Sequence, residues 1–126
     1  MRRTDQRRAA VVALYQRDVT GRPLTELLDQ GASDFTRALV EGTDSEREEL
    51  DELIERYAEG WTVDRIAPLE RNIMRVALHE LLHTDLPAEI AIDEAVEAAK
   101  ELCSTEAPAF VNGILGSVHR ERVAQR

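Results

Sequence analysis

Residues 68 to 83 read PLERNIMRVALHELLH, and this stretch decides the fold class. Pro68 suits the first turn of a helix, and apolar residues then recur at helical spacing up to His83. The apolar residues are too numerous for one narrow face: Ile73, Met74, Val76, Ala77, Leu78, Leu81 and Leu82. The stretch therefore predicts a helix of about four turns that is buried on most sides.

Helical periodicity continues on both sides of this stretch, and no segment alternates as a strand does. Downstream, one helix is expected after Pro87 and another from about Pro108. Upstream, helices are expected from an N-cap at Thr4 to about Val19, after Pro23, from Ser33 to about Gly42, and from Asp44 or Ser45 to about Gly60. On the last of these, one apolar stripe is formed by Leu50, Leu53, Ile54, Tyr57 and Trp61. The fold class is an all-α, compact bundle of about seven helices.

The composition is that of one globular domain spanning residues 1–126. The chain has 126 residues, of which 43% are hydrophobic and 33% charged, so it can bury a core without disulfides or metal. Its longest apolar stretch, residues 9 to 15, is far too short to span a membrane. Cys103 is the only cysteine, so no internal disulfide can form. We expect a cytoplasmic protein with no membrane contact.

Charge is distributed unevenly along the chain, whose formal net charge is -9. Residues 1 to 8 contain Arg2, Arg3, Arg7 and Arg8 against one acid, whereas residues 41 to 59 contain nine acids and two arginines. The excess of acid opposes long-range attraction to nucleic acid. Arg3 and Arg7, however, are four residues apart on a protruding first turn, and with the adjacent Arg8 they can converge on phosphates. A merely solubilising, solvated end is an equally good interpretation of these four residues.

No motif of catalysis is present, and the predicted mode of action is binding. There is no nucleophile elbow, phosphate loop or dinucleotide fingerprint, so the chain is not expected to be an enzyme. His79 and His83 have the spacing of half a metal site, and a third ligand would have to be Cys103, His119 or a carboxylate. Because exposed ring nitrogens explain the pair more simply than an incomplete set of ligands does, neither a metal nor a cofactor is predicted.

Two further features favour a macromolecular partner. Glu70 interrupts the apolar face of the central helix, where it interacts with the helix N-terminus or with a cationic partner. Gly113 and Gly116 weaken the last helix, and close packing of a neighbouring helix is their expected justification. Asn112 beside them can cap a loop or hydrogen-bond a base edge.

Several segments, in this order, resemble the NusB family of bacterial transcription antitermination factors. The most specific are AIDEAVEAAK at residues 91–100 and FVNGIL at residues 110–115. The others are RRAA at 7–10, ALYQ at 13–16, Phe35 with LVEG at 39–42, Trp61 with Arg65 and Ile66, LERNIMRVA at 69–77, HEL at 79–81 and Pro87. The resemblance covers nearly the whole chain and implies an all-α fold of two packed helical subdomains.

The same resemblance implies a function and its site residues. It implies recognition of boxA RNA in ribosomal RNA leader transcripts together with NusE, a ribosomal protein of the small subunit, and indirect action with other elongation factors on RNA polymerase. The residues expected at the RNA are Arg2, Arg3, Arg7, Arg8, Tyr15, Glu106, Phe110 and Asn112. Those expected at NusE are Glu70, Arg71 and Met74.

Three alternatives stay open from the sequence. In this chain Thr4, Asp5 and Gln6 interrupt an amino-terminal basic run that is denser in many family members, so a scaffold that binds NusE or itself with little RNA affinity is credible. The free protein could also form a homodimer through its partner or RNA surface. A similar accessory domain precedes some ribosomal RNA cytosine methyltransferases, but a chain ending at residue 126 has no room for their catalytic domain.

Overall fold

The computed structural model describes residues 2–125, and within that range it contains seven α-helices, one 3-10 turn at Val63–Arg65 and no strand. The helices are α1 (Arg3–Thr20), α2 (Leu24–Leu27), α3 (Asp34–Ser45), α4 (Arg47–Tyr57), α5 (Pro68–His83), α6 (Ala88–Leu102) and α7 (Ala107–Ala124). The all-α prediction is confirmed, and the bounds of α5 are those that its sequence predicts.

Helix α5 is the centre of the molecule. It packs against α1, α3, α4, α6 and α7, and every residue from 72 to 80 is buried. Helices α2 and α3 pack on α1, whereas α7 packs on α4 and α6. One continuous apolar core joins these two groups through α5, because α5 has apolar residues on nearly all sides.

A buried carboxylate on α1 ties α1 to α4 and α5. Asp18, whose side chain is 8% exposed, accepts hydrogen bonds from Arg71 at 2.6 Å, from Asn72 at 2.9 Å and from Arg75 at 3.0 Å. Arg75 is also paired with Asp51 of α4 through two hydrogen bonds of 2.7 and 3.0 Å. Burial opposes ionisation of Asp18, but the hydrogen bonds of Arg71 and Asn72 and the charge of Arg75 lower the pKa of this carboxyl to about 2.

The predicted helix caps are partly correct. Ser33 accepts a hydrogen bond from the amide of Thr36 at 3.0 Å and caps α3, as expected. Thr4 is not an N-cap, since α1 already begins at Arg3 and the Thr4 hydroxyl donates to Glu94 of α6. Nor do Asp44 and Ser45 begin α4, because α3 continues through Gly42 to Ser45 and Glu46 occupies the N-cap position of α4.

Helix α4 ends earlier than its apolar stripe predicts, and this displaces Trp61. The α-helix ends at Tyr57, and Glu59 and Gly60 after it adopt φ values of 29° and 87°. Glycine occupies the left-handed region at no steric cost, so the chain turns there. Trp61 therefore leaves the stripe and is 51% exposed.

The close approach expected at Gly113 and Gly116 occurs at a different glycine. A Cβ at Gly113 would meet open space, and one at Gly116 would meet only the flexible side chain of Arg120. Gly42 of α3 instead lies directly against the imidazole of His79, with Nε2 only 2.7 Å from where a Cβ would stand. The absence of a side chain at Gly42 is what lets α3 pack on α5 at this point.

None of the helices described in residues 2–125 combines the length and apolarity needed to cross a lipid bilayer.

Candidate nucleic-acid and partner interface

An open groove lies where the first turns of α5 and α7 meet the loop that follows α4. We call it the Trp61 groove; it has a volume of about 330 Å³. Its lining consists of Trp61, Arg65, Ile66, Ala67, Glu70, Glu106, Ala107 and Phe110. Two aromatic rings, two carboxylates and one guanidinium thus share one concave surface, which suits an extended ligand with flat and cationic groups.

The two acids of the groove influence each other. Glu70 is partly buried, and burial together with the negative charge of Glu106 raises the pKa of the Glu70 carboxyl. Burial and the charge of Glu70 likewise raise the pKa of the neighbouring Cys103 thiol to about 11, so this cysteine stays protonated at neutral pH. A cationic group entering the groove would relieve the repulsion between the two carboxylates.

One face of α1 combines a charged, an aromatic and two apolar side chains. Arg8, Val12, Tyr15 and Val19 follow one another at spacings of three or four residues and therefore form one stripe on α1. Val12 and Val19 are exposed, and Tyr15 is partly exposed. Arg8 donates to Glu101 in the last turn of α6 at 3.3 Å, so the stripe borders the connection between α6 and α7.

Arg7 does not protrude, contrary to the expectation of an exposed basic turn. It is 8% exposed and donates two hydrogen bonds to Glu80 of α5, at 2.8 and 3.0 Å. The hydrogen bond to Glu80 raises the pKa of Arg7, although burial opposes this. The guanidinium is therefore engaged by Glu80 inside the protein, and a phosphate would have to displace that carboxylate to reach it.

The remaining amino-terminal arginines are separated around α1. Arg8 is largely covered, with a side chain 14% exposed between Glu101 and Glu94. Arg3 lies five residues earlier, roughly 140° away around the helix axis, and rests 4.0 Å above the ring of Phe35 of α3. Arg2 is exposed and pairs with Asp5 at 3.6 Å. The four arginines thus do not form one patch.

Two of the three residues expected at a protein partner are internal. Met74 has no exposed surface, so it cannot contact a partner directly in this conformation. Arg71 is paired with Asp18 and donates to the carbonyl of Ile66, which holds the loop beside the groove. Glu70 alone of the three lines the groove. Met74 follows one turn later on the same face of α5 but is fully buried, and Arg71 is turned roughly 100° away around the helix axis.

The three residues in and before α7 that are expected at the RNA do not share one surface. Glu106 and Phe110 line the Trp61 groove. Asn112 is exposed but is two residues from Phe110, which turns it roughly 200° away around the axis of α7. The structure therefore groups Glu70, Glu106 and Phe110 in one groove and leaves Asn112 outside it. Arg8 lies instead against α6, beside Glu94 and Glu101.

The two histidines, His79 and His83, both contact the carboxylate of Glu46. Glu46 Oε2 lies 2.8 Å from Nδ1 of His79 and 3.2 Å from Nε2 of His83. Across residues 2–125, no three histidine, cysteine, aspartate or glutamate side chains are arranged to hold a metal ion. The pair accordingly joins the α3–α4 corner to the end of α5.

Sequence reasoning did not assign five of the eight lining residues to the site, and two of these five, Trp61 and Arg65, carry an aromatic ring and a charge. Trp61 continues the periodicity of α4 and was therefore assigned to its buried stripe. Gly60 was the available signal, because a glycine before an aromatic residue can end a helix and turn that residue outward. Arg65 follows in the 3-10 turn and offered no comparable signal.

Comparison with known proteins identifies the family. The family model of the NusB family matches residues 4–120. A transcription antitermination protein NusB from Rubrobacter xylanophilus is 42% identical over 122 residues, which cover 91% of this chain and 88% of the relative. T. maritima NusB superposes with a TM-score of 0.88 at 34% identity, over 96% of this chain and 92% of that one.

A second solved structure contains ligands. It is a crystal structure of antitermination factors NusB and NusE in complex with double-stranded RNA, and one of its chains matches with a TM-score of 0.84 at 25% identity, over 94% of this chain and 96% of that one. Motif order, fold and similarity over nearly the whole length agree. The chain therefore belongs to the NusB family.

Proposed function

We propose that this chain is a transcription antitermination factor that binds boxA-type single-stranded RNA of ribosomal RNA leader transcripts together with NusE. It acts by binding, without catalysis or cofactor, as one domain in the cytoplasm, and reaches RNA polymerase and other elongation factors through this complex. The relatives named above are antitermination proteins, and one related structure pairs NusB with NusE and RNA.

The observation that carries the proposal is the meeting of Glu70, Glu106 and Phe110 in the Trp61 groove. An aromatic ring offers a stacking surface to an unpaired base, and a carboxylate accepts hydrogen bonds from base edges or from a cationic protein. Basic NusE is expected to supply positive charge that this acidic chain lacks.

The groove can be tested with labelled boxA RNA titrated at fixed salt against this protein, NusE and both together. We expect the mixture to bind most tightly. Phe110→Leu keeps an apolar side chain but removes the aromatic face, and should weaken RNA binding about 5- to 100-fold, as expected for loss of one stacked base. Glu70→Gln should weaken NusE binding in the absence of RNA.

Glu97→Gln is a suitable control for these titrations, because Glu97 is exposed on α6 and paired with Lys100. It should bind RNA and NusE as the unaltered protein does. Equal RNA affinity with and without NusE, or unaltered affinity in Phe110→Leu, would contradict the proposal.

A scaffold that binds NusE or a second copy of itself, with little RNA affinity, is the second candidate. The engagement of Arg7 by Glu80 and of Arg8 by Glu101 favours it, since both pairs lower the positive charge offered to phosphate. Assembly with NusE but no RNA binding by the mixture would support the scaffold. Concentration-dependent sedimentation of the free protein would detect the homodimer.

Releasing Arg8 from Glu101 should strengthen RNA binding. The contact holds the guanidinium on α6, so a phosphate has to displace a carboxylate to reach it. Glu101→Gln is expected to raise RNA affinity about two- to fivefold at low salt, the range for one partly exposed ion pair. Glu97→Gln makes the same change of charge away from Arg8, and an equal gain in both variants would attribute the effect to net charge alone.

A further inference from the structure

A second pocket lies on the other side of α1 from the Arg8 stripe. We call it the Phe35 pocket; it has a volume of about 440 Å³ between the start of α1, α3 and the end of α5. Phe35 forms one wall, and Ala38, Leu39 and Leu86 make much of the rest apolar. The guanidinium carbons of Arg3 and Arg7 stand 4.0 and 5.2 Å from the centroid of the Phe35 ring.

Two guanidinium groups give this pocket positive charge, and a carboxylate neutralises only one of them among the described residues. Arg7 is neutralised by its two hydrogen bonds to Glu80. The same two bonds hold its guanidinium beside the Phe35 ring. Within residues 2–125 Arg3 has no carboxylate at ion-pair distance, and its guanidinium donates to the amide oxygen of Gln6 at 3.2 Å. Because Arg3 is exposed, its charge faces whatever enters the pocket.

An aromatic wall beside an unpaired arginine matches the two parts of a nucleotide. The base has a flat face that stacks on an aromatic ring, and the phosphate accepts charge-assisted hydrogen bonds from a guanidinium. The other polar residues of the lining are already hydrogen-bonded within the protein: Arg7 to Glu80, His79 to Glu46, and Thr84 to the carbonyl of Glu80. Few groups therefore remain to read a base edge, and such a site would tolerate different bases. An acidic peptide would satisfy Arg3 but would leave the ring and the apolar walls without a matching group.

This inference rests on the proposed function: we propose that the Phe35 pocket binds a further nucleotide of the same single-stranded RNA, with its base against Phe35 and its phosphate on Arg3. Because the Arg3 guanidinium lies over the Phe35 ring at 4.0 Å, it would turn from the ring onto the phosphate and leave that ring face to the base. The distance between the two sites follows from α5, because Glu80 lines the Phe35 pocket and Glu70 lines the Trp61 groove. These two residues are ten positions apart, so the sites are separated by roughly 15 Å along the helix axis. The strand would have to pass around the first turns of α1 to occupy both sites. Only RNA that extends beyond the groove can reach the pocket.

The test is a titration of the complex with NusE against boxA RNAs shortened one nucleotide at a time. Arg3→Gln and Phe35→Leu should each weaken the longest RNA at least about fivefold, the lower end of the effect of one stacked base. Arg3→Gln should also reduce the slope of log affinity against log salt by about 1. Below a threshold length both variants should bind as the unaltered protein does.

Arg22→Gln is the matched control, because Arg22 is exposed just beyond α1 and pairs with Glu26. A thermal unfolding measurement shows whether Phe35→Leu still folds. Arg3→Gln alters only an exposed side chain, so its fold should be unchanged. Equal losses at every RNA length, or no loss at any length, would overturn this inference and leave the proposed function standing. Loss of NusE binding without RNA would assign the pocket to the protein partner and also overturn it. If the unaltered protein binds none of the RNAs, the proposed function itself fails.

Discussion

Arg7→Met is expected to lower the free energy of unfolding by about 3 to 5 kcal/mol, the cost of leaving one member of a buried ion pair alone. The side chains of Arg7 and Glu80 are 9% and 4% exposed, so Glu80 would be stranded in the core between α1 and α5. In thermal unfolding the midpoint should fall by about 10 °C or more. The loss should appear without any RNA or partner present.

A second substitution separates loss of the pair from loss of packing. Adding Glu80→Leu to Arg7→Met removes the stranded carboxylate and should recover much of the stability, because buried ion pairs are often replaceable by apolar residues. Arg22→Met makes the same change at an exposed pair and should cost less than about 1 kcal/mol. If Arg7→Met is as stable as the unaltered protein yet loses RNA binding, Arg7 contacts the ligand directly and our interpretation of it is incorrect.

Asp18→Asn should also destabilise by about 3 to 5 kcal/mol at neutral pH, because Arg71 and Arg75 lose the carboxylate that they share. Asparagine has nearly the same shape, so the loss reports charge more than packing. Asp85→Asn changes the net charge equally at an exposed position and should leave stability within about 0.5 kcal/mol.

The effect of Asp18 should depend on pH in a defined direction. Its pKa in the folded chain is about 2, below the ordinary value of 3.8, so its contribution is complete only above about pH 5. That contribution is lost as the pH falls through about 2, where the carboxyl is protonated in both states. In urea unfolding at several pH values, the difference between Asp18→Asn and the unaltered protein should shrink from pH 4 to pH 2. A difference that stays constant over this range would contradict the assignment.

Local signals predicted most of the secondary structure because they act within one element. Pro68 and the apolar residues after it predicted α5 to the residue, and the cap at Ser33 was correct because its hydrogen bond spans only three residues. The cap at Thr4 failed for the opposite reason. Its hydroxyl is taken by Glu94, 90 residues away, and no pattern near Thr4 reveals that partner.

The candidate site was only partly predictable. The family motifs indicated Glu70, Glu106 and Phe110, which the structure brings into one groove. They also indicated Arg7 and Met74, whose burial depends on how α1 and α5 pack. Helical spacing states which side chains share a face of one helix, but it does not state which face another helix will cover.

By itself the sequence determined the all-α class, the central place of α5 and the membership of the family, because these follow from periodicity, glycine and proline signals and motif order along the chain. Only the tertiary structure decided which arginines are free. Arg7 and Glu80 are 73 residues apart in the chain and 2.8 Å apart in space, and a pairing of that kind exists only after the helices have packed. The same packing set Arg3 on Phe35 and brought Glu70, Glu106 and Phe110 into one groove, and so defined the surfaces on which binding is proposed.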